Sequence, residues 1–172
     1  TSYRRQRQMC IRDRAQANAA AAFNKDGFEL FNNRTYVFLG DGCMQEGVAS
    51  EAASMAGHLG LKNLIAFYDD NHITIDGDTN CAFTEDVGKR FESYNWNVLT
   101  VKNGDEDLSA LWDAIVKAQQ EKERPTLVCV QTTIGFGSLN QGKASVHGAP
   151  LKEDDIAQLK TRFGLSLIHI SE

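Results

Sequence analysis

Apolar and polar positions along the chain follow two alternating rhythms. Thr35 to Leu39 is a short β-rich run that stops at Gly40-Asp41-Gly42, as a strand buried on both faces of a parallel sheet reads. From Glu46 to Leu59 small and apolar residues recur at helical spacing, with Ala49, Ala52, Ala53 and Ala56 on the repeating positions. So many small side chains predict a helix packed closely against its neighbours. Leu64 to Tyr68 reads as a second strand and ends on Asp69-Asp70-Asn71. Thr84 to Tyr94 predicts a helix capped by Thr84 or a neighbour. Val98 to Val101 is a third strand. Asp107 to Gln120 is amphipathic, with Leu108, Leu111, Ile115 and Ala118 on one side. Pro125 introduces a fourth strand, Thr126 to Thr132. Strands alternating with helices predict an open, mostly parallel α/β sheet with helices on both faces. Ala15 to Phe23 precedes this body as an Ala-rich helix, and Gly27 marks its end or the loop beyond.

The two ends break the rhythm. Residues 1–14 and 166–172 are expected to be non-native and resemble translated sequencing-adaptor DNA, which leaves one partial domain over residues 15–165. Composition narrows the partners. A net charge of −5 over 172 residues supplies no basic field for nucleic acid or an anionic membrane. Arg4, Arg5, Arg7, Arg12 and Arg14 form a run best read as a solvated tail. No apolar stretch approaches the roughly 20 residues of a membrane span. Cys10, Cys43, Cys81 and Cys129 lack metal-type spacing and suit reduced thiols in the cytoplasm.

Both polar motifs fall where an open α/β sheet binds ligands, beyond the carboxyl ends of its strands. Asp41 offers a hard carboxylate oxygen and Asn71 a neutral amide oxygen, a donor set suited to Mg²⁺ or Ca²⁺ with phosphate oxygens completing the shell. Gly42 leaves its backbone N–H open to a phosphate, and the helix beginning near Glu46 aims its N-terminus the same way. Alone, Gly-Asp-Gly or Asn71 would be an ordinary turn. Their pairing at successive strand ends is far more specific.

The spacing from Gly40-Asp41-Gly42 to Asn71 matches the thiamine diphosphate signature, and the surrounding words resemble the transketolase family. They are Thr35 to Gly47 (TYVFLGDGCMQEG), Tyr68-Asp69-Asp70-Asn71 with Ile73-Thr74-Ile75-Asp76-Gly77, Thr132 to Ser138 (TTIGFGS), and Val146-His147-Gly148-Ala149-Pro150. The resemblance implies the thiamine diphosphate-binding fold. It implies that the side chains of Asp41 and Asn71 and the backbone carbonyl of Ile73 bind the metal. Gly42, Asn71 and His147 would contact the diphosphate or its surroundings. His147 would also face the sugar substrate, where an imidazole can exchange a proton at neutral pH. Glu46 would lie near the interface of a homodimer, connected to the carboxylate that activates the cofactor.

The activity so implied is transfer of a two-carbon ketol unit from a ketose phosphate to an aldose phosphate, with thiamine diphosphate and a divalent metal as cofactors. The glutamate that activates the aminopyrimidine belongs to a different domain in this family, so this segment is expected to be inactive alone. A dihydroxyacetone synthase, a more distant thiamine diphosphate enzyme and a non-catalytic diphosphate-binding module remain as alternatives. His58 reads as structural, and Cys43 as a small buried residue rather than a nucleophile.

Overall fold

The computed structural model describes residues 3–165, with side chains from residue 10 onward. The elements in chain order are α1 (Tyr3–Phe23), β1 (Thr35–Gly40), α2 (Asp41–Met44), α3 (Gly47–His58), β2 (Leu64–Asp70), β3 (Ile73–Thr74) and β4 (Gly77–Asp78). They continue with α4 (Val87–Ser93), β5 (Asn97–Val101), α5 (Leu108–Gln120), β6 (Thr126–Gln131) and α6 (Glu153–Arg162). Four strands pair in parallel in the order β1-β2-β6-β5, while β3 and β4 form a small antiparallel hairpin.

Alternation along the two central strands explains the layers. Leu64, Ala66 and Tyr68 of β2, with Leu127 and Cys129 of β6, pack beneath Ala52, Ala53 and Ala56 of α3 and Val87 and Phe91 of α4. Their neighbours Ile65, Val128 and Val130 point the other way, toward Ala114 and Ala118 of α5. Strands covered on both faces must be apolar at every position, hence the unbroken runs in β2 and β6. The expected open, parallel α/β sheet with helices on both faces is the observed one. Among the described residues no helix is long and apolar enough to cross a membrane.

The small residues of α3 have a concrete use. A Cβ added at Gly57 would sit 1.7 Å from the Tyr94 carbonyl oxygen. Beside it, Trp96 Nε1 donates to Ala53 O at 2.8 Å. The helix stops where Gly60 turns left-handed (φ 59°) and Leu61 N donates back to Ala56 O. Asp86 caps α4 by accepting from Lys89 N, and Asp107 caps α5 by accepting from Ala110 N.

Three expectations need revision. First, α1 does not begin at the Ala-rich run but reaches back to Tyr3, and Cys10, Asp13 and Gln16 are buried. The Arg, Gln and Met residues of this run are good helix formers, so propensity carries the helix through them. Burial there is only partly matched: Asp13 Oδ1 has no hydrogen-bond partner, and desolvation pushes the carboxyl up to about 6 although a hydrogen bond with Thr35 pulls it back. Gly27 lies in the turn after α1, the second of the two places the sequence allowed. Second, Leu108 is 73% exposed, while Ala118 and Leu111 of the expected face do pack on the sheet, together with Ala114. Third, β1 is not buried on both faces: it is an edge strand, and Tyr36 and Phe38 are 44% and 80% exposed on its open side. A one-turn helix, α2, follows it before α3. The expectation for residues 166–172 lies outside the described residues.

Candidate functional site

Strand register builds the site. Gly40 at the end of β1 lies opposite Asp69 of β2, so Asp41 and Asp70 leave the same edge of the sheet as neighbours. Asp41 is buried. Its Oδ1 accepts a 2.5 Å hydrogen bond from Tyr68 Oη, whereas its Oδ2 is buried with no partner. Burial raises the Asp41 carboxyl above the usual range; the Tyr68 hydroxyl offsets this, Asp70 adds to it, and His72 and the Asn71 backbone N–H pull it back. The same surroundings push the Tyr68 phenol upward, chiefly through burial, so it stays protonated and donates.

Asn71 follows directly on β2. Its Oδ1 accepts from Ile73 N at 3.0 Å, and its Nδ2 donates to Asp69 Oδ2 at 3.2 Å. Between them His72 adopts a left-handed backbone (φ 60°), unusual for a residue with a Cβ, and its Nδ1 lies 3.4 Å from Asp70 Oδ1. That turn lets the chain leave β2 and enter the β3–β4 hairpin within one residue of Asn71. Asp41 lines a cavity of about 320 Å³ with Tyr68, Asp70, His72, Thr79 and Gln131. Among the described residues no three His, Cys, Asp or Glu side chains converge on a metal-sized site. Asn71 and Ile73 do not line this cavity; with Asp41 they would offer a cation one carboxylate, an amide oxygen and a backbone carbonyl, a hard-oxygen set. The unpartnered Asp41 Oδ2 fits that role, because a buried anionic oxygen without a donor is costly until something positive satisfies it.

Gly42, Glu46 and His147 meet in an adjoining cleft of about 540 Å³, also lined by Thr74, Ile75 and Asp76. Gly42 lies in the first turn of α2, where backbone N–H groups lack helical partners. A Cβ there would meet nothing within 4 Å, so the space in front of Gly42 is open. Glu46 is the half-buried N-cap of α3. His147 is exposed, and its N–H donates to Ala144 O. Cys43 is half-buried and packs against the core under α3, as its expected structural role requires.

A second tether reaches the His147 loop from α6. Asp155 accepts from Ser138 Oγ, Leu139 N and Gln158 Nε2, while Gln158 and Arg162 both donate to Gly137 O. Gly135 (φ 64°) then lies against Val146, where a Cβ would come within 2.8 Å of the Val146 side chain.

A family model described as transketolase, thiamine diphosphate binding domain, matches residues 8–169. The chain belongs to the transketolase thiamine diphosphate-binding family. It is 62% identical over 152 residues to transketolase 1 of Saccharomyces cerevisiae, covering 88% of this chain and 22% of that one. Among solved structures it resembles the transketolase of Leishmania mexicana (TM-score 0.91, 45% identity, 92% of this chain and 24% of that one). It also resembles the Pichia stipitis transketolase in complex with sedoheptulose-7-phosphate (TM-score 0.89, 56% identity, 92% and 23%). The chain therefore spans about a fifth to a quarter of the length of these transketolases.

Sequence reasoning missed two parts of this transketolase segment. Tyr68 was visible only as a word in a motif, although its position before a run of acids on a buried strand was a usable signal. The tie between Asp155 and Ser138 was not legible, since nothing in either local sequence names the other.

Proposed function

We propose that this chain supplies the diphosphate and metal half of a thiamine diphosphate site, within a complete protein that acts as a transketolase. The observation that carries the reading is the buried, unpartnered Oδ2 of Asp41 at a strand end beside Asn71. Asp41, Asn71 and the Ile73 carbonyl would hold Mg²⁺ or Ca²⁺, with Gly42 offering a backbone N–H to the diphosphate across open space. When bound, thiamine diphosphate supplies the carbon nucleophile and the sink for the electron pair released as the ketose C–C bond breaks. His147 stands at the mouth of the cleft that contains Gly42, where its imidazole would pass a proton to or from a substrate hydroxyl. Glu46, at the start of α3, would face the second subunit of a homodimer.

The substrates proposed for the complete protein are a ketose phosphate donor and an aldose phosphate acceptor, in the cytoplasm. The family draws its pyrimidine-side glutamate from another domain, so this segment alone should not turn over. Ketol transfer is assayed with the purified segment and with the complete protein, both saturated with cofactor and Mg²⁺. The expected result is turnover by the complete protein and a loss exceeding the about 10² to 10⁴ of a single acid–base group for the segment. Segment turnover within about tenfold of the complete protein, roughly 1.4 kcal/mol in barrier, contradicts the reading.

A further inference from the structure

The geometry points to Tyr68 as a positioning residue that aims Asp41 at the divalent cation, an inference that rests on the metal site proposed above. The ring is fixed before it does anything. Tyr68 is 4% exposed and sits in β2 between Leu39 of β1 and Cys129 of β6 in the strand register. From that fixed ring the hydroxyl reaches two carboxylates, Asp41 Oδ1 at 2.5 Å and Asp70 Oδ1 at 3.3 Å. A phenol has a single proton to donate, and the shorter contact takes it. Oδ1 of Asp41 is thereby committed, and Oδ2 is the oxygen left without a partner. A carboxylate with one oxygen tied presents the other in one orientation, the arrangement by which hydrogen bonds to a metal ligand set its direction and charge. Without the hydroxyl, rotation about the Asp41 side chain would be free to point either oxygen at Asp70 or away from it. Only the Asn71 backbone N–H would then be left to donate to the carboxylate.

The test uses the complete protein carrying this segment and reads thiamine diphosphate affinity across a Mg²⁺ and a Ca²⁺ titration, with thermal melting beside it. Tyr68→Phe keeps the ring and deletes the donor. The expected result is a metal requirement shifted upward by about 10- to 100-fold, with cofactor affinity in the absence of metal unchanged. In a double-mutant cycle, Tyr68→Phe should add nothing to Asp41→Asn, because the hydroxyl acts only through that carboxylate. If the unaltered protein shows no metal dependence, the metal site itself is wrong. If it does and Tyr68→Phe titrates identically, or the two losses simply add, the site stands and Tyr68 has no part in aiming it. A Tyr68→Phe protein that fails to fold assigns the hydroxyl to folding and likewise overturns the inference.

Discussion

Ser138 Oγ donates a 2.5 Å hydrogen bond to Asp155 Oδ2, tying the loop after β6 to the first turn of α6. Three donors converge on that carboxylate, and they hold it below the usual carboxylate range, Ser138 most of all. A depressed folded-state value means that the contribution is present above the unfolded value of 3.8 and is lost as pH falls through the folded one. Replacing Asp155 with Ala should therefore flatten the acid limb of the stability curve. It should also speed amide exchange across residues 133–147, measured by mass spectrometry. Unchanged exchange in that loop would show that α6 does not restrain it.

Close approach of α3 to the turn after α4 makes Gly57 intolerant of any side chain. In Gly57→Ala the methyl would overlap the Tyr94 carbonyl, and the Trp96 bond to Ala53 would be strained with it. The expected cost is about 1–3 kcal/mol by urea denaturation, despite the better helix propensity of Ala. A loss below about 0.5 kcal/mol, the range of neutral surface changes, would contradict this packing.

Asp13 works against the fold that contains it. Its raised carboxyl, at about 6, means the folded state holds this proton more tightly than the unfolded chain does. Stability should then fall as pH rises from the ordinary carboxylate range to about 6. Asp13→Ala removes that slope and should raise the melting temperature at pH 7. A lower melting temperature would mean that the hydrogen bond with Thr35 outweighs the cost of burying the carboxylate.

His147 separates activity from stability. The residue is exposed, so His147→Ala in the complete protein should change stability by no more than about 0.5 kcal/mol. Loss of a positioned proton carrier should lower turnover by about 10² to 10⁴. Unchanged kcat at saturating cofactor would remove His147 from the site.

The central strands β2 and β6 were legible because they are buried on both faces and so carry unbroken apolar runs, whereas the edge strand β1 carries a similar run with one face open. The start of α4 was legible only to within two residues, since Asp86 rather than Thr84 caps it, and that of α5 from its amphipathic run. The β3–β4 hairpin was not, since two residues per strand carry no periodicity and its geometry depends on the left-handed turn at His72. Helix α1 extends past the Ala-rich run because propensity is blind to what a buried face requires, as Asp13 demonstrates. At the site, the places of Asp41 and Asn71 at successive strand ends were legible. The hydrogen bond from Tyr68 to Asp41 was not, because it follows from strand register, which brings residues 27 positions apart into contact.

The central claim is that Asp41 is the charged ligand of a divalent cation holding a diphosphate. The most direct measurement is thiamine diphosphate affinity by calorimetry, with and without Mg²⁺ or Ca²⁺, for the complete protein and its Asp41→Ala variant. Binding by the unaltered protein should tighten strongly when metal is added, and the variant should show no such gain. Equal metal dependence in both proteins would contradict the account.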